Sequence, residues 1–297
     1  MDQADSNGTP TDQLWLRIVD FPLVAMVIAI FLFLLTAGAG QLLVRQVRDL
    51  TETVSVALAA LVEIALVLIV YKGVLVRLGE RPRDDLRLPG AARNLGLGLL
   101  TGFLLMASAV GVAAIAGVYR IVATGDASRL ALELFGSAIL PAFMEETLFR
   151  GILFRWLEEF GGSWAALSVT AALFGLVHIM NPNATWFSTF AIAVEAGLLL
   201  GGAYLLTRSL WLPIGLHAAW NFTQGEIFDV PVSGLSEHGL LEAKLSGPAL
   251  LSGGGFGLEA SVICLVLASA TGIWFVWRAV KTGQLVQPWW IRRRRAV

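Results

Sequence analysis

The sequence predicts an all-α fold, a polytopic membrane helix bundle of about eight transmembrane helices. Three observations carry this reading. Hydrophobic residues make up 57% of the chain and charged residues only 14%, where soluble domains carry about 25% charged residues. The apolar residues fall into blocks of about 20, the length that crosses a bilayer core. Charged and turn-forming residues collect between those blocks. The net charge of −1 says nothing about nucleic acid, because the basic residues sit at segment ends; no nucleic-acid partner is expected.

Taken in order, residues 1–15 read as a polar N-terminal tail, disordered to about Thr11 and lacking the basic region of a cleavable signal peptide. Residues 16–281 are expected to form one membrane-embedded domain with a functional core at about 141–224, and residues 282–297 a basic tail. The first helix runs from about Phe21 to Leu43. The second, about Val54 to Val76, carries Glu63, and a basic loop to Arg93 follows. The third, about Leu95 to Tyr119, places Gly98 and Gly102 at the spacing that lets helices approach closely.

The fourth region, about Arg129 to Phe160, is too long for one straight span. Pro141 is expected to kink or split it, leaving a leading part with Glu133 along the interface. Gly161-Gly162 makes a turn, and the fifth helix, about Ser163 to Met180, stops at Asn181-Pro182-Asn183. The sixth, about Thr185 to Leu206, contains Glu195, and the seventh, about Leu210 to Phe228, contains His217 and Asn221. A loose Gly/Ser-rich stretch, Val230 to Gly257, leads to the eighth, about Leu258 to Val280. The lone Cys264 excludes an intramolecular disulfide. Trp289-Trp290 beside Arg292 to Arg295 reads as an interfacial anchor contacting anionic lipids.

Eight spans put both termini on one side. Counted that way, the Lys and Arg residues strongly favour that side, so both termini are expected to be cytoplasmic. The expected location is the plasma membrane of a bacterial cell, with the lipid bilayer as obligatory surroundings.

The chain is organised around Glu145-Glu146-Thr147-Leu148-Phe149-Arg150. Charges at membrane depth are unfavourable by about 2.5–3.5 kcal/mol each and by default mark function. Glu146 and Arg150, four apart, share a helix face and can pair. Glu145 is rotated by about 100° from its neighbour and points elsewhere, free for chemistry. Glu145 and His178 are equally far from the Gly161-Gly162 turn, which in an antiparallel hairpin sets them at one depth. His217 and Asn221 again share a face.

This set, Glu145-Glu146-x-x-x-Arg150, then Phe174-x-x-x-His178, then His217-x-x-x-Asn221, resembles the CPBP family of CAAX proteases and bacteriocin-processing enzymes. That family, also called Abi, is related to the Rce1-type CaaX prenyl protease. The phrase Ser209 to Ile214 is also similar to the family. The resemblance covers about Pro141 to Gln224. It implies an intramembrane endopeptidase acting on a membrane-associated, prenylated or leader-bearing peptide or membrane protein. It implies that Glu145 activates water, that His178 helps to hold that water, and that His217 and Asn221 stabilise the oxyanion. Glu146 and Arg150 would order the site.

A metal-dependent version stays open. Glu145, His178 and His217 would then form a three-ligand set for zinc or another divalent metal with one open position; otherwise no cofactor is expected. Two further readings compete: a non-catalytic immunity or scaffold protein, and a transporter, against which the chain has no repeated halves.

Overall fold

The computed structural model describes residues 10–47, 50–236 and 238–294. Most of the tail expected to be disordered, residues 1–9, and Arg295 of the terminal cluster lie outside them. A short helix α1 (Pro10–Val19) precedes α2 (Pro22–Val44), α3 (Glu52–Leu75) and α4 (Ala91–Ile115). Strand β1 (Tyr119–Thr124) leads into α5, a helical run over residues 130–161. Then come α6 (Ser163–Met180), α7 (Trp186–Thr207) and α8, residues 211–227. Strand β2 (Leu241–Leu245), α9 (Val262–Lys281) and α10 (Trp289–Arg294) complete the chain.

Among the described residues six helices are long and apolar enough to cross a membrane: α2, α3, α4, α6, α7 and α9. The other two expected spans, α5 and α8, are helical but irregular, mixing α and π turns. These two carry the acidic pair and the His217/Asn221 pair.

Pro141 does not break α5, contrary to the sequence expectation. It follows a π segment, Leu134–Ile139, and stands in the first turn of the α segment Leu140–Glu146. Proline is tolerated in a first turn, and the wider π turn before it accommodates the missing N–H. The part around Glu133 is packed into the bundle. Leu132 and Ala138 are buried, and this stretch packs on α3 and α8.

The Gly98/Gly102 spacing is used for close helix packing. A methyl group at Gly98 would strike the Leu212 carbonyl and the Leu216 nitrogen; one at Gly102 would strike the Leu216 carbonyl. The backbones of α4 and α8 therefore touch, and the contact seats the turn of α8 that carries His217.

The third helix stops at Ile115 rather than Tyr119. Tyr119 opens β1, which pairs antiparallel with β2, Tyr119 opposite Leu245 and Thr124 opposite Leu241, with a bulge between Ile121 and Ala123. The loop read as loose thus contains one strand of a two-stranded sheet. Tyr119 donates its hydroxyl to the Phe228 carbonyl at 3.0 Å, and burial pushes this phenol up to about 12, so it stays a neutral donor.

The ends of the bundle are distinct. Ser163 and Val286 exchange bonds of 3.0 and 2.8 Å, Arg293 reaches Glu80 at 2.6 Å, and Phe21 meets Phe160 and Trp289, each with ring centroids 5.9 Å apart. The start of α2, the loop after α3, the α5–α6 corner and the C-terminal segment gather at one end. The two-stranded sheet and the segments around Asn181 and Ser233 occupy the other, the latter joined by an Asn181 Nδ2 to Ser233 carbonyl bond of 3.0 Å.

Candidate active site

The acidic pair sits where the α segment of α5 gives way to a π segment, Thr147–Phe154. Glu146 is completely buried. Its Oε1 accepts from Arg150 Nη1 at 2.7 Å, so the pairing expected from the four-residue spacing forms. Arg150 donates through Nη2 to the Ala196 carbonyl at 3.0 Å and lies over the Phe174 ring at 4.8 Å. The guanidinium thus ties α5 to α6 and α7.

The same Glu146 oxygen is 3.0 Å from His217 Nδ1. With a carboxylate as acceptor, Nδ1 carries the proton, and Nε2 is left for a ligand. His217 and Asn221 are both buried. Asn221 Nδ2 donates to the Ser137 carbonyl at 3.0 Å, so α5 orients both polar residues of α8.

His178 lies in a 3₁₀ turn, His178–Met180, closing α6. Its Nδ1 is 2.6 Å from the Phe174 carbonyl, and its ring is 4.8 Å from that of Phe174. Phe174 also meets Phe149 at 4.9 Å. Those two phenylalanines are equidistant in sequence from the Gly161-Gly162 turn, so the hairpin has the register from which Glu145 and His178 were read to one depth.

A cavity of about 50 Å³ is lined by His178, His217 and Asn221, with Glu195 and Glu259 also in its wall. A water needs about 10–15 Å³ of such space, so several fit. Glu146 and Arg150 stand behind His217 rather than in the lining. Glu145 also stands outside the lining and is half-buried, with its charge bearing on both Arg150 and His217. Among the described residues, Oε2 of Glu145 and Oε2 of Glu146 are sealed without hydrogen-bond partners. Buried acceptors left without donors are unfavourable by about 1–3 kcal/mol, which singles these oxygens out.

The three-ligand metal set is not assembled here. Among the described residues no three His, Cys, Asp or Glu side chains gather so as to hold a metal ion. The Nδ1 atoms of His217 and His178 are engaged by Glu146 and by the Phe174 carbonyl, which leaves Nε2 of each ring as the atom available to a ligand.

Residues 127–223 match the family model described as type II CAAX prenyl endopeptidase Rce1-like. This segment is an Rce1-like domain. Neither the curated proteins nor the solved structures gave a match. That family is one of proteases, and with six apolar membrane-length helices the chain is an integral membrane protein. The Rce1-like segment spans α5 to α8 and so contains every site residue read from the sequence.

Two features of the Rce1-like domain's surroundings escaped sequence reading. One is the bond from Glu146 to His217, which depends on how α8 rotates against α5. The other is Glu259, outside the matched segment, which joins the cavity wall from the turn before α9. Its sequence signal was an acid flanked by Leu258 and Ala260 just ahead of an apolar span.

Proposed function

We propose that the chain is an intramembrane endopeptidase in which Glu145 is the general base and His217 with Asn221 forms the oxyanion hole. The observation that carries this is the division of labour in the acidic pair. Glu146 is held by two donors, Arg150 and His217, whereas Glu145 Oε2 has no partner among the described residues. A base needs a free oxygen to take a proton from water.

Glu145 removes a proton from a water that His178 helps to hold, and the hydroxide adds to the scissile carbonyl. Negative charge develops on the carbonyl oxygen, where Asn221 and a protonated His217 supply donors. The Glu146 carboxylate at Nδ1 stabilises that imidazolium, which then donates from Nε2. Glu145 returns its proton to the departing amine as the C–N bond breaks. In this reading no step passes through a metal.

The substrate is a peptide or membrane protein, prenylated or leader-bearing, presented from the bilayer. The charge asymmetry supports cytoplasmic termini and a bacterial plasma membrane, with anionic lipids at the Arg292–Arg294 end. Accessibility labelling of single cysteines placed near Glu80 and in strand β2, in intact cells and in lysed ones, tests that orientation.

The deciding experiment is cleavage of a membrane-peptide substrate by the purified chain and by Glu145→Gln. Loss of cleavage is expected in the variant, and unchanged processing removes the endopeptidase reading in favour of a non-catalytic role. Metal content and chelator sensitivity are measured alongside: stoichiometric zinc with chelator inhibition overturns the metal-free mechanism.

A further inference from the structure

The wall of the cavity that carries Glu195 and Glu259 has no task in the hydrolysis above, and its chemistry is unusual. Glu195, on α7, is 4% exposed and Glu259 is 5% exposed. Both line the cavity that His178, His217 and Asn221 share. Glu259 Oε2 accepts from the Ser233 N–H at 2.8 Å and from its hydroxyl at 3.0 Å. Glu195 Oε2 is sealed from solvent with no hydrogen-bond partner among the described residues. No Lys or Arg lines the cavity, and the nearest buried guanidinium described, Arg150, is committed to Glu146 and the Ala196 carbonyl.

We propose that Glu195, backed by Glu259, is a specificity element that receives the cationic end of a Lys or Arg side chain flanking the scissile bond of the substrate. This rests on the endopeptidase reading and adds the substrate class to it. Two neighbouring buried carboxyls disfavour each other's charge, and Glu195 Oε2 lacks a donor among the described residues. A guanidinium or ammonium supplies both the compensating charge and the donors. The remaining wall suits the rest of such a side chain. Ile192, Leu199 and Leu216 offer apolar surface to a methylene stem, the way long basic side chains bury the stem while the charged head finds polar company. Because His217 and Asn221 face the same small space, the residue held there is adjacent to the carbonyl under attack.

The test uses the full chain in detergent or proteoliposomes with quenched fluorogenic peptides of one frame. Lys, Arg, Gln or norleucine is placed in turn at each position flanking the cut. The expected result is a kcat/KM for Lys or Arg at one position at least about tenfold above norleucine, the scale of one hydrogen-bonded charge. Glu195→Gln is expected to bring that ratio close to one, and Glu195→Asp to restore part of it. A fold defect slows all peptides together and leaves the ratio intact. Equal cleavage of Lys and norleucine peptides, or a ratio unchanged in Glu195→Gln, overturns the proposal. If Glu195→Gln does not fold, the ratio in the unaltered chain decides alone. No cleavage of any peptide overturns the endopeptidase reading and this one with it; cleavage without a charge preference overturns only this one.

Discussion

Helix α5 carries two buried charge clusters a few turns apart, and they are built in opposite ways. At the α5–α6 corner, Glu158 is fully buried and both its oxygens are used: Oε1 accepts from Ser163 at 2.6 Å, and Oε2 from Arg208 at 2.5 Å and Arg83 at 3.5 Å. Its neighbour Arg155 spreads Nη1 and Nη2 over the carbonyls of Leu75, Leu78, Arg81 and Arg83, at 2.9 to 3.3 Å. At the other cluster, Glu146 doubles two donors on one oxygen and leaves the second bare, and Glu145 keeps a sealed oxygen without a partner. The corner cluster shapes a loop and satisfies its carboxylate. The other leaves an oxygen of each of its two carboxylates unpaired at membrane depth, whereas among the described residues the sealed unpaired atoms at the corner include the donors Arg155 Nε and Trp156 Nε1.

That contrast yields four substitutions, from the largest expected effect on turnover to the smallest. Glu145→Gln removes the base, and cleavage should fall by about 10²–10⁴-fold with little change in thermal unfolding; a rate near that of the unaltered chain would put Glu145 in the structural class. Asn221→Ala takes away one oxyanion donor, with kcat expected to drop by about 10²–10³-fold; an effect confined to KM would reassign Asn221 to binding. Glu146→Gln strips Arg150 of its buried carboxylate. It should lower stability by about 3–5 kcal/mol, and activity should fall with it as His217 loses its partner, so thermal melts and rates are read on the same sample. Glu158→Gln is the control at the corner. Stability should decrease by about 1–3 kcal/mol, while kcat/KM of the folded fraction stays near that of the unaltered chain; a large loss there would erase the distinction.

Much of this was legible in residue spacing. The pairing of Glu146 with Arg150 and the shared face of His217 and Asn221 follow from helical periodicity alone, and both survive the π turns that the sequence did not announce. The close approach at Gly98 and Gly102 was legible because only glycine permits it. The two-stranded sheet was missed although Leu241-Glu242-Ala243-Lys244-Leu245 alternates apolar and charged residues. Its partner Tyr119–Thr124 extends an apolar helix without a break in composition, and a period of two over so few residues is weak against that background. Pro141 misled for a related reason: proline's effect depends on the turn before it.

Sequence by itself determined that the chain lives in a membrane, because apolar block length and scarcity of charge are properties of composition and order. It also determined which polar residues are exceptional there. Tertiary structure alone decided how these residues divide the work. Whether Glu146 meets His217, whether Phe174 stacks between Arg150 and His178, and whether Glu195 and Glu259 face one cavity are questions of helix rotation and depth between segments far apart in the chain. Local periodicity sets a residue's face on its own helix; only packing sets which neighbour that face meets.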